Sequence, residues 1–122
     1  MYAHPEDDPE FIDQRFAASD ILMSEGITRR FIDPSQAEVL KAVSGLLVAR
    51  EFIYITDFAD ARNVRPGNAQ KQLHNLEHKY KLLYSFAEPG QNSPHAQARR
   101  LYGATILGHR VFGLFQPEQI KD

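Results

Sequence analysis

The sequence predicts an α+β fold, with a core of three short helices, a small antiparallel sheet, and one additional helix ahead of them. Three observations predict it. Two helical patterns lie back to back at residues 56–83 with a tight turn between them. A third amphipathic pattern precedes them at 33–50, and alternating β-rich stretches flank the pair on both sides. The chain divides on this basis into an acidic arm and helix at 1–32, open to a role in dimerisation, and a domain at 33–122.

Asp8-Pro9-Glu10 has the make-up of a helix start. Ile12, Phe16, Ser19 and Met23 then fall on one face, with Phe11, Ala18 and Leu22 beside it, and Gly26 suits the stop. Such a helix either packs on a second subunit or completes the monomer's own core. The first eight residues are expected to be disordered. In the next element, Pro34 restricts the chain and Ser35 to Glu38 fits a capping box. Leu40, Val43 and Leu47 make the apolar stripe, widened by Val39 and Leu46. Phe52-Ile53-Tyr54-Ile55 alternates as a short strand.

Residues 56–83, TDFADARNVRPGNAQKQLHNLEHKYKLL, carry the most information. Thr56 is a good N-cap, and Asp57 and Asp60 suit the positive end of a helix. Asn63 tolerates the left-handed conformation that ends one. Pro66 fits the first turn of the next, where its missing N–H would be unpaired anyway. Ala69, Leu73, Leu76 and Tyr80 recur at spacings of four, three and four, one face of that helix. The other face carries Arg65, Asn68, Gln70, Lys71, His74 and Asn75. A helix buried on one side and lined by amide and basic side chains on the other suits a groove of DNA.

This stretch resembles the helix-turn-helix of winged-helix transcription regulators, the MarR-like and ArsR-like families among them. Such sequences often end their second helix in leucine, two residues, leucine and an acid, which here is Leu73-His74-Asn75-Leu76-Glu77. The usual glycine before the following strand is absent, and Tyr80-Lys81 stands there. The resemblance is clear over about 30 residues and looser over 35–115. It implies a winged helix-turn-helix, a recognition helix in the major groove, and a regulator that acts as a homodimer on double-stranded DNA. The alternative is a winged helix that docks on a protein partner and does not bind DNA.

Beyond the motif, Leu82–Phe86, Arg99–Leu107 and Arg110–Phe115 are expected to be strands, with Gly108-His109 as a two-residue turn between the last two. The intervening loop, 88–98, would be the wing, and Arg99 and Arg100 at its exit are placed to reach a phosphate or the minor groove. The expected contacts to DNA are therefore Arg65, Asn68, Gln70, Lys71, His74, Arg99 and Arg100. Aromatic residues of the strands (Tyr84, Phe86, Tyr102, Phe112, Phe115) are expected mainly in the core.

Charge supports this placement. The formal net charge is −2, but residues 1–38 hold nine acids and three bases, while residues 62–110 hold eight bases and two acids. Four of the five histidines also fall in that second window. A basic stretch centred on such a motif is the electrostatic footprint of phosphate contact.

Other chemistries find little support. A length of 122 residues with 43% hydrophobic content suits one domain with a real core. No apolar run approaches the roughly 20 residues that span a bilayer, and the acidic start lacks a secretory pattern, so a cytoplasmic protein is expected. The absence of cysteine excludes disulfides and thiolate metal sites. His74 and His78 lie four apart, but Asn75 stands where a zinc protease has its glutamate. No nucleophile elbow or acid–base pair is present. No metal, cofactor or enzymatic activity is expected.

Overall fold

The structure is a computed structural model that describes residues 7–89 and 99–115. Its elements are α1 (Pro9–Ser24), α2 (Pro34–Ala49), β1 (Ile53–Tyr54), α3 (Ile55–Arg62), α4 (Pro66–His78), β2 (Leu83–Ala87), β3 (Arg100–Ala104), α5 (Ile106–Phe112) and a 3-10 turn, Gly113–Phe115. The three strands form one antiparallel sheet in the order β1-β3-β2. Ile53 pairs with Tyr102, and Leu83 through Ala87 run against Ala104 back to Arg100.

Each helix end has a local cause. The Asp8 carboxylate caps α1 by accepting from the Glu10 amide, and Gly26 turns the chain away at φ 71°. The buried face of α1 is Phe11, Ala18, Ser19 and Leu22, whereas Phe16 and Met23 are exposed. Phe16 instead meets Phe31 edge to face, with ring centroids 4.5 Å apart. Ser19 Oγ is fully buried and accepts from the Ile32 amide at 2.8 Å while donating to the Arg15 carbonyl. Arg15 Nε donates to the Ile32 carbonyl, so α1 grips the segment leading into α2.

The cap of α2 is Asp33 and not Ser35. Its carboxylate accepts from the Gln36 amide, and Gln36 reaches back to the Asp33 amide. Pro34 occupies the first helical position, so the capping box sits two residues earlier than the Ser35–Glu38 spacing indicates. Val39, Leu40 and Val43 then face the core as expected, and Leu46 and Leu47 pack at its edge. Ser44 donates to the Phe112 carbonyl at 2.7 Å and ties α2 to α5.

The larger correction concerns the C-terminal third. Residues 106–112 form a helix, not a strand, and Gly108-His109 is no hairpin turn. Thr105 caps α5 by accepting from the Gly108 amide at 2.9 Å. Val111 and Phe112 bury against α2, and Ile106 is 86% exposed, a pattern of helical rather than alternating burial. Gly108 is required because α5 lies on the start of β2: a Cβ there would stand 2.0 Å from the Leu82 carbonyl oxygen. The third strand of the sheet is therefore β1, from before the helix pair.

The core consists of residues from α1, α2, α3, α4, the sheet and α5, with Phe58, Phe115, Leu22, Ile53 and Leu73 among its largest fully buried side chains. Tyr102, Phe112 and Phe115 are buried as expected. Tyr84 is 42% exposed and Phe86 half-buried, since alternation sends them to the outer face of the sheet, where they pack with Phe52. Of the first eight residues, expected to be disordered, Asp7 and Asp8 are described and Asp8 caps α1; residues 1–6, and 90–98 of the expected wing loop, lie outside the described residues.

Candidate nucleic-acid interface

The interface is built on the junction between α3 and α4. The α3 helix begins at Ile55, one residue before the expected Thr56 cap, and the Asp57 carboxylate holds the Tyr54 amide at 2.8 Å. Arg50 also reaches Asp57, at 3.1 Å. Asn63 ends α3 in the left-handed conformation, φ 54°, and the Val64 amide donates back to the Ala59 carbonyl. Arg65 is the extended N-cap of α4, and Pro66 opens the helix.

Burial then orients α4. Ala69, Leu73, Leu76 and the following Tyr80 face the core. The opposite surface presents a shallow groove lined by Gly67, Gln70, Lys71, His74 and Asn75, every one of them exposed. The His74 ring also meets that of His78, one turn on, with centroids 4.2 Å apart and the planes tilted by 41°. Asn68 is also exposed but lies on the flank of the helix and lines no part of this groove. The helix ends without the usual glycine: Lys81 itself takes φ 58°, and the Leu82 amide donates to the Leu76 carbonyl at 2.8 Å. Tyr80 fastens this end to α2 through its hydroxyl, which accepts from Gln36 Nε2 at 2.6 Å.

A second cleft joins the helix to the base of the β2–β3 hairpin. It is lined by Tyr54, Ile55 and Thr56, by Pro66, Gly67 and Gln70, and by Arg99 and Arg100. The two arginines expected at the wing exit thus come together with the N-terminal half of α4, and Gln70 borders both depressions. Arg65, although exposed at the helix start, lines neither of them.

Both arginines are held. The Arg99 guanidinium lies over the Tyr54 ring, 5.6 Å from its centroid. The Tyr54 hydroxyl donates to Glu88, and this bond to a carboxylate, with burial and the Glu88 charge adding to it, pushes the phenol above its ordinary pKa. Arg100 donates through Nε and Nη2 to Ser85 Oγ, at 3.2 and 3.0 Å. Ser85 in turn donates to the Glu77 carboxylate, 2.9 Å from each oxygen.

Sequence reasoning missed Gly67, Thr56 and Tyr54 as part of the cleft, and Glu77 and Ser85 as partners of Arg100. Only the strand period gave a signal for the last pair, because it puts Ser85 and Arg100 on one face of the sheet. Among the described residues no cluster of histidine and acidic side chains fits a metal ion, and no helix is long and apolar enough to cross a membrane.

Helix pair, three-stranded sheet and an arginine-bearing hairpin together define a winged helix-turn-helix fold. No family model matches the chain, and no curated protein matches it. Solved structures of S. aureus MepR do match. One is a point mutant bound to an oligodeoxyribonucleotide, at 23% identity and a TM-score of 0.52 over 85% of this chain. Another is a MepR–DNA complex, at 20% identity and a TM-score of 0.51 over 85% of this chain. The chain spans 66% and 65% of the length of these two structures. At this identity the likeness concerns the fold.

Proposed function

We propose that the protein is a sequence-specific regulator of transcription that binds double-stranded DNA, with α4 in the major groove and the wing on the backbone or minor groove. The observation that carries this reading is the continuity of the two depressions, which joins Gln70, Lys71 and His74 to Arg99 and Arg100 on one exposed basic surface. The DNA-bound state of the MepR structures supports it. Gln70, and Asn68 from the flank, pair with adenine edges; Lys71 and His74 reach bases or phosphates; Arg65, Arg99 and Arg100 meet the backbone. The protein is read as a cytoplasmic binding protein and not an enzyme.

The same reading makes it a homodimer whose acidic arm and first helix, residues 1–32, supply part of the contact, ahead of a winged domain at 33–122. Phe16 and Phe31, 46% and 57% exposed, offer an apolar surface beside Met23. Two copies would set two α4 helices roughly 34 Å apart, one turn of DNA. The test is fluorescence anisotropy against fragments selected from a random duplex pool. A folded Gln70→Ala/Lys71→Ala variant should lose about 1–3 kcal/mol on the selected sequence for each bidentate base contact removed. Unchanged affinity would reject the assignment and favour a winged helix that docks on a protein, for which the outward Tyr84 and Phe86 are the supporting feature.

A further inference from the structure

We infer that Glu77 and Ser85 are positioning residues that couple the recognition helix to the wing by presetting Arg100. This rests on the DNA-binding reading above. Glu77 lies in the last turn of α4, one turn beyond His74 and on the flank that faces the sheet. Its side chain is only 20% exposed, and its carboxylate, 3.6 Å from His78 Nε2, receives the Ser85 hydroxyl from the middle of β2. Ser85 has one hydrogen to give, and gives it to Glu77; its lone pairs are thereby left to accept from Arg100 on β3. Helix, first wing strand and second wing strand are thus joined by three consecutive side chains.

The direction of each bond matters. A carboxylate acceptor fixes the orientation of the hydroxyl, and the fixed hydroxyl presents its acceptor side to the guanidinium. Arg100 is held by Nε and Nη2, and its remaining Nη1 edge is not used in this contact. A long side chain that would otherwise sample many rotamers arrives at the cleft with part of that entropy already lost. Because the anchor is on α4 itself, the arginine keeps a fixed distance from Gln70 and Lys71, so one placement of the helix sets both groove and backbone contacts. Arg99 instead lies over the ring of Tyr54, so part of its support comes from β1.

The sign of one substitution separates positioning from charge. By electrostatics alone, removing an acid beside a DNA-facing surface tightens binding. If Glu77 positions Arg100, Glu77→Ala weakens it. The experiment measures anisotropy of a labelled mixed-sequence 30-base-pair duplex against salt concentration for wild type, Glu77→Ala, Ser85→Ala, Ser85→Thr, Arg100→Ala and Ser85→Ala/Arg100→Ala.

Ser85→Ala and Glu77→Ala should each weaken binding roughly two- to tenfold, the range of one net hydrogen bond, and leave the salt slope as in wild type. Ser85→Thr retains the hydroxyl and should restore affinity. Arg100→Ala should lower the slope by about one, since one phosphate contact is lost. The double variant should bind no more weakly than Arg100→Ala, because the hydroxyl then has nothing to position. Tighter binding by Glu77→Ala, or full additivity in the double variant, overturns the inference while DNA binding stands. Absence of salt-dependent binding by wild type overturns the DNA-binding reading and this inference with it.

Discussion

Replacing Gly108 by alanine tests the C-terminal helix directly. In an exposed helix this change is favourable by about 1 kcal/mol, because alanine has the better helix propensity. Here the new methyl would stand 2.0 Å from the Leu82 carbonyl oxygen and 3.2 Å from the Phe112 ring. A carbon–oxygen contact belongs at about 3.3 Å, so α5 and the start of β2 must separate by about 1 Å. Overpacking of this kind costs about 1–3 kcal/mol. The same Leu82 oxygen accepts from the Thr105 amide at 3.0 Å, and the separation strains that bond, worth about 1 kcal/mol. With the propensity gain subtracted, the net loss is about 2 kcal/mol, or about 8 °C in Tm for a domain of this size. Gly45→Ala is the matched control: Gly45 lies inside α2 with nothing within 4 Å of its would-be Cβ, so stability should rise by about 1 kcal/mol. Urea denaturation of both variants decides the matter. Gly108→Ala at or above wild-type stability would falsify the packing of α5 on β2.

Other expectations follow from single contacts. Ser19→Ala leaves the buried Ile32 amide without an acceptor and should cost about 1–3 kcal/mol in denaturant titration. Lys81→Gly relieves a left-handed residue whose side chain costs about 1–2 kcal/mol there, so Tm should rise by a few degrees. Tyr54, Tyr80 and Tyr102 are all raised above the ordinary phenol pKa, Tyr54 chiefly by its bond to Glu88 and the other two chiefly by burial. Their folded pKa values lie above the unfolded value of 10.0, so their contribution is complete below pH 10.0 and is lost as pH rises through the folded values. Absorbance at the phenolate band should therefore show late ionisation that coincides with alkaline unfolding; a titration in which every tyrosine ionises together with a free phenol would contradict those environments.

What the sequence made legible has a clear physical boundary. Proline at the first helical position, a left-handed Asn63 and a leucine period are local rules, and α3, the turn and α4 follow them closely. Residues 106–112 carry local signals that conflict. Ile, Val and Phe favour strands by propensity, and Gly-His mimics a hairpin turn, but the outcome depends on a cap at Thr105 and on close approach to Leu82, which is a contact across 26 positions in the chain. The capping box of α2 was misplaced for a smaller reason: both Asp33-x-x-Gln36 and Ser35-x-x-Glu38 satisfy the spacing, and Pro34 settles it only if it is taken as the first helical residue. At the site, exposure of Gln70, Lys71 and His74 was readable from the helix period. The partners of the arginines were not, since they come from three different elements.

That last difference separates two neighbours which the sequence presents as a pair. Arg100 opens β3 and Arg99 immediately precedes it, and the alternation of extended backbone sends adjacent side chains to opposite faces. Arg99 goes to the outer face, exposed and over the Tyr54 ring. Arg100 goes to the face of Ser85 and Tyr102, linked through Ser85 to Glu77 of α4. Single alanine substitutions should therefore differ in kind. Loss of Arg100 removes a charge whose position depends on its bond to Ser85, so its effect should be smaller in a background that lacks the Ser85 hydroxyl. Loss of Arg99 should be indifferent to Ser85 and should instead be mimicked by Tyr54→Leu, which takes away the ring but keeps an apolar residue in β1. If both arginines responded to Ser85 alike, the wing would be acting as one flexible charged segment, and the separate anchoring of its two sides would have no consequence for binding.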